Sequence, residues 1–118
     1  MIVLASCAGA RRTELYFGTG IPGGGTVTDA DWNRFCDTVI SRYFPEGYTV
    51  ADVSGKWYDP DAQHTISEPS KLVLLIGKPS RVRSAAIDSV VQRYIRYYHQ
   101  QAVLRTDAKV GFRLVTGK

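Results

Sequence analysis

Thr65–Gly77 reads T-I-S-E-P-S-K-L-V-L-L-I-G, and its two halves obey different rules. Glu68, Pro69, Ser70 and Lys71 stand in a polar first half, whereas Leu72–Ile76 is an unbroken apolar run. Such a run reads as a strand buried on both faces, since a half-exposed strand would alternate. The charged cluster is then delivered at the strand's entrance.

The neighbouring segments place this strand in a fold. Upstream, Tyr48–Tyr58 alternates in the manner of a strand, and Asp59-Pro60-Asp61-Ala62 with His64 turns it back as a hairpin with a longish loop. Before it, Trp32, Phe35, Cys36, Val39, Ile40 and Tyr43 recur at helical spacing. Thr28 caps that helix, Asp29 and Asp31 occupy its first turn, and Phe44-Pro45-Glu46-Gly47 ends it. Arg12–Thr19 carries three consecutive strand-favouring residues, Leu15, Tyr16 and Phe17. Downstream, Arg81–His99 forms a long helix with Ala86, Ile87, Val90, Val91, Tyr94, Ile95 and Tyr98 inward. Ala102–Asp107 and Val110–Val115 supply one long or two short final strands. The order strand, helix, strand, strand, helix, strand is the ferredoxin-like split βαβ arrangement (β-α-β-β-α-β). This α+β class has a four-stranded antiparallel sheet with both helices on one face.

At 118 residues the chain is long enough for one core and not for two. Residues 12–118 are expected to form a single domain, with 1–11 standing apart as a lipobox-like or disordered segment. The net charge of +4 permits an acidic partner, but no nucleic-acid-binding motif accompanies it, so nucleic acid is not expected. A basic stripe of Arg83, Arg93 and Arg96 is by default a solvated helix face.

Leu4-Ala5-Ser6-Cys7 resembles the lipobox of bacterial prelipoproteins, an apolar residue and two small ones before the cysteine that carries a diacylglycerol. The resemblance implies lipidation of Cys7 and a periplasmic or outer-membrane-anchored protein. A secretory signal needs an apolar stretch of about 7–15 residues, longer than Met1–Val3, so this reading expects a start upstream of Met1. Without it the segment is an apolar tail and the protein cytoplasmic.

The topology makes two functional statements. Helices cover one sheet face only, so the other exposes Tyr16 with part of Leu72–Ile76. Burial of that patch against a second copy, as a sheet-to-sheet homodimer, is the expected solution; an apolar pocket is the alternative. The strand ends should also gather Tyr16, Trp57, His64, Glu68, Ser70, Lys71 and Arg105 at one edge. There Glu68, Lys71 and Arg105 would bind a small polar ligand against a wall of Tyr16 and Trp57. The competing reading has Glu68 and Lys71 as a surface ion pair, Arg105 as a cross-strand partner and Trp57 as packing. The Gly18–Gly25 loop holds five glycines, yet lacks the lysine and spacing of phosphate-binding loops. His64 has no second ligand at metal spacing and Ser70 no nucleophile elbow, so neither a metal, a cofactor nor a hydrolase is expected.

T-E-L-Y-F-G (Thr13–Gly18), D-A-D-W-N-R-F (Asp29–Phe35), F-P-E-G-Y-T-V (Phe44–Val50), G-K-W (Gly55–Trp57), E-P-S-K-L-V-L-L (Glu68–Leu75) and V-L-R-T-D (Val103–Asp107) occur together. With them the chain resembles the small bacterial proteins of the domain of unknown function 3574 family. The resemblance implies exported or lipoprotein-like proteins and brings no activity, cofactor or catalytic residue. The expected function is a non-enzymatic, envelope-associated binding or interaction module, its partner a small molecule or envelope protein. The alternative is an enzyme of the dimeric α+β barrel type, with an apolar pocket on the open face.

Overall fold

The computed structural model describes residues 6–117. Its elements are β1 (Ser6–Gly18), α1 (Asp29–Phe35), a π-helical turn (Cys36–Ile40), α2 (Ser41–Tyr43), β2 (Thr49–Asp59), β3 (His64–Gly77), α3 (Arg81–Tyr98) and β4 (Leu104–Arg113). The sheet order is β2-β3-β1-β4, all neighbours antiparallel. The expected fold class is thus the observed one.

Both helices begin as their sequences dictate. The Thr28 hydroxyl accepts from the Asp31 N–H, and the Asp31 carboxylate accepts from the Thr28 N–H, a reciprocal capping box. Ser80 caps α3 through the Arg83 N–H, and His99 closes it in the left-handed conformation. Between α1 and α2 the backbone widens to a π turn. The Tyr48 hydroxyl, which is also hydrogen-bonded to Ser41, donates to the Cys36 carbonyl there, satisfying an irregular backbone from the residue that precedes β2.

The core lies between helices and sheet. Leu15, Phe17, Val73 and Leu75 meet Trp32, Phe35, Val39, Ile40, Ile87, Val90 and Tyr94. Tyr94 is its hub. The ring packs edge-on to Phe17 and Phe35 at centroid distances of 4.7 and 5.2 Å, and its hydroxyl donates to the Gly18 carbonyl at 2.7 Å.

The structure corrects several sequence expectations. β1 begins at Ser6, so residues 6–11, expected to stand apart from the domain, run in the same strand and pair with β4. Met1–Ala5 and the Cys7 side chain, on which the lipobox reading turns, lie outside the described residues. The final strand is one element. Leu72–Ile76 is not buried on both faces: Val73 and Leu75 are, while Leu72 and Leu74 are half-buried and Ile76 is 49 % exposed. Only one face of the sheet carries helices.

The polar half of Thr65–Gly77 is strand as well. β3 pairs with β1 only from Ser70 onward, so His64–Pro69 continues as a two-stranded ribbon with β2. Pro69 is tolerated there because its carbonyl, held by the Thr19 N–H and hydroxyl, is the last contact on that side. At the opposite end β1 and β4 run on together as a second ribbon. The molecule is consequently long, 59 × 30 × 29 Å. Its radius of gyration is 16.6 Å, against about 13.5 Å for a compact chain of this length.

Candidate functional site

Directly opposed residues in an antiparallel sheet share a face, so the register sorts the candidates. Gly18 opposes Ser70 and Tyr16 opposes Leu72; Val53 opposes Ser70 and Trp57 opposes Ile66. Tyr16, Trp57, Glu68 and Ser70 therefore share the open face. Lys71, opposite Phe17, and Arg105, opposite Leu15, lie on the helix-bearing face. The single edge cluster expected from topology is split three ways, because adjacent strand residues point oppositely and Arg105 stands two strands from Lys71. Trp57 and His64 are further removed, out on the ribbon.

Lys71 sits between two carboxylates. Its ammonium donates to Asp52 at 2.6 Å and to Asp29 at 2.9 Å. The lysine side chain is only 12 % exposed, while both aspartates are largely in solvent. Hydrogen bonds to Asp52 and then Asp29 raise the lysine pKa, so the amine remains protonated and is no nucleophile near neutrality. An open cleft of about 400 Å³, lined by Asp29, Asp52, Ser54, Ser70, Lys71 and the loop residues Thr19 and Val27, runs along one side. Sequence patterns missed Asp29 and Asp52 as partners of Lys71; only the β2–β3 register places Asp52 opposite it.

Arg105 belongs to a different assembly. It donates to Asp107 and Asp88 and to the Ser84 carbonyl, tying β4 to α3. Burial works against its charge, but the bonds to Asp107 and Asp88 outweigh it and raise its pKa. Buried Thr13 donates to Asp107 at 2.7 Å and accepts from Arg83. Burial disfavours the charged Asp107, yet bonds from Thr13 and Arg105 prevail and lower its pKa. With its donors partnered internally, Arg105 acts as a strut rather than a ligand hook.

The open face is apolar in its middle. Ala51, Leu72, Tyr16 and Leu104 form one row across all four strands, and Leu104 is 60 % exposed. Glu14, in the next row, accepts from the Thr106 hydroxyl at 3.0 Å and the Tyr16 hydroxyl at 3.3 Å. Burial, then Glu14, raises the Tyr16 pKa. Glu68 lies over Gly18: a Cβ there would meet its Oε1 at 2.8 Å. Trp57, 53 % exposed, is carried on the same side of the ribbon. Among the described residues no group of three or more His, Cys, Asp or Glu side chains is placed to hold a metal. No helix of the described residues is long and apolar enough to cross a membrane.

The chain belongs to the family described as Protein of unknown function (DUF3574), whose model matches residues 12–113. No curated protein sequence matches it. Among solved structures it is similar to a phage SAM lyase in complex with S-methyl-5′-thioadenosine. The TM-score is 0.64 at 12 % identity, over 97 % of this chain and 95 % of that one. It is also similar to CutA from Synechococcus elongatus PCC7942, with TM-score 0.55, 7 % identity, and coverage of 94 % and 86 %. At these identities the likeness establishes the fold alone.

Proposed function

We propose that this chain is a homodimeric, non-enzymatic binding and interaction module of the bacterial envelope, assembled through its open sheet face. The observation that carries the reading is the row Ala51-Leu72-Tyr16-Leu104 with neighbouring Leu74 and Ile76 on a face without helices. An apolar patch spanning a whole sheet supports an interface there, since burying apolar surface contributes about 25 cal/mol per Å². Long ribbons support the same reading, because an isolated two-stranded ribbon is marginal in water and gains support from a neighbour. Envelope attachment, in this proposal, is through a lipid on Cys7. Light scattering after size-exclusion chromatography tests the assembly: a mass of two chains supports it, and a monomer at high micromolar concentration overturns it. Intact-mass spectrometry of natively expressed protein tests the anchor, and an unmodified Cys7 overturns that part.

A small-molecule enzyme is the second reading, favoured by the Lys71 cleft and by the fold shared with the phage SAM lyase. Its volume lies in the range of small-ligand sites. Calorimetric titration with S-adenosylmethionine and S-methyl-5′-thioadenosine separates the readings. Saturable binding accompanied by turnover of S-adenosylmethionine, both lost in a Lys71→Met variant, favours the enzyme; binding without turnover favours the module, and the absence of heat removes this ligand class.

A further inference from the structure

From the charges on the open face we infer the register in which a second copy packs: Arg12 of each protomer pairs with Glu68 of the other across an antiparallel, face-to-face dimer. This rests on the proposed self-association and adds to it a specific, reciprocal ion pair. By register, Arg12, Glu14 and Glu68 are the charged side chains of the open face over the four-stranded part and the base of the ribbon. Glu14 is held by Tyr16 and Thr106. Arg12 and Glu68 are both exposed, and neither enters an ion pair among the described residues. They carry opposite charges and stand at opposite ends of the apolar band, Arg12 beside Ile76 and Glu68 above Gly18.

A two-fold axis lying in the interface, across the strands above Leu15 and Val73, exchanges these ends. Arg12 and Gly18 are equally far along β1 from Leu15, so the axis sets Arg12 of one copy over Gly18 of its partner. It exchanges the Leu72 and Leu74 rows in the same operation, matching apolar surface to apolar surface. Gly18 matters here because, with no Cβ, it lets the Glu68 carboxylate lie over the strand. Facing sheets stand about 10 Å apart. With the carboxylate already above the floor, roughly 6 Å remains, which an arginine side chain spans. The same axis brings the β2–β3 ribbon of each copy to the end of the dimer that carries the β1–β4 extension of the other, displaced from it across the sheet. A register that sets either charge over the apolar rows carries a desolvation cost that this one avoids.

The test uses charge reversal in the intact chain. Sedimentation equilibrium is run on wild type, R12E, E68R and an equimolar mixture of the two variants. Each variant alone places like charges at both contacts and should associate more weakly than wild type by about tenfold or more. In the mixture, one R12E chain and one E68R chain bring opposite charges together at both contacts, so heterodimers should form with near wild-type affinity. Restoration also shows that both variants are folded. If wild type associates but the variants are unaffected, or the mixture stays as weak as they are, the register is wrong while self-association stands. A wild-type mass of three chains likewise overturns the two-fold register. A monomeric wild type overturns the proposed assembly itself, and this inference with it.

Discussion

Replacing Tyr94 by Phe removes one atom from a fully buried side chain of the core. In the native protein that hydroxyl donates to the Gly18 carbonyl at 2.7 Å, where β1 ends beneath Glu68. Phe keeps the ring contacts with Phe17, Phe35 and Tyr98, so packing is conserved and one partly buried carbonyl loses a donor. Leaving such a group unsatisfied costs about 1–3 kcal/mol. With an unfolding entropy near 2.1 cal/mol/K per residue, a chain of this size loses roughly 4 °C of Tm per kcal/mol, so Y94F should melt about 4–12 °C lower. Y94L deletes the ring contacts as well as the hydroxyl and should cost more than Y94F. Urea unfolding followed by far-UV circular dichroism, at one fixed protein concentration, measures both, because association makes apparent stability concentration-dependent. Tyr94 also has its pKa raised, by burial. Its phenol stays neutral in the folded chain while the unfolded one ionises above pH 10.0, so wild type should lose stability on going alkaline and Y94F should lose less. A Y94F loss below about 0.5 kcal/mol, or a Y94L loss no larger than that of Y94F, would refute the hub described for Tyr94.

Three further outcomes follow from the site geometry. Asp107 has a folded pKa below its unfolded 3.8, so its contribution is present above that value and disappears as pH falls through the folded pKa. D107N should flatten the acid limb of a urea-midpoint series, and an unchanged limb counts against the Thr13-Asp107-Arg105 assembly. Lys71→Met keeps the buried stem and removes only bonds to two exposed aspartates, so its loss should stay under about 1 kcal/mol; a loss well beyond that would make the ion pairs a core feature. Burial raises the Cys36 thiol pKa from 9.0, so iodoacetamide at neutral pH should label it far more slowly in the native protein than in urea. Equal rates, read by peptide mass spectrometry, would contradict its half-buried placement.

The element order was readable because the elements announce themselves: Thr28 caps, Pro45 and Gly47 stop, and Leu72–Ile76 is too apolar for a loop. The open face followed from topology alone. The ribbon was not readable, since Ser67, Glu68, Pro69 and Ser70 carry turn-like composition, and pairing with β2 makes them strand in spite of it. Nor was the division of the candidate site. Ser70 and Lys71 are neighbours in sequence, but a pleated strand sends them to opposite faces, and a one-residue change in register would exchange their environments. The π turn at Cys36 receives a hydrogen bond from the hydroxyl of Tyr48, just before β2, a contact that helical spacing within residues 32–43 does not encode.

The proposed assembly turns on what covers the row Ala51-Leu72-Tyr16-Leu104. The most direct measurement is the mass of the intact protein by sedimentation equilibrium, compared with that of a Leu72→Asp variant. A mass of two chains for wild type, falling to one chain in a variant that keeps its circular dichroism spectrum, is the predicted result. A monomeric wild type, or a variant that associates as tightly as wild type, would contradict it.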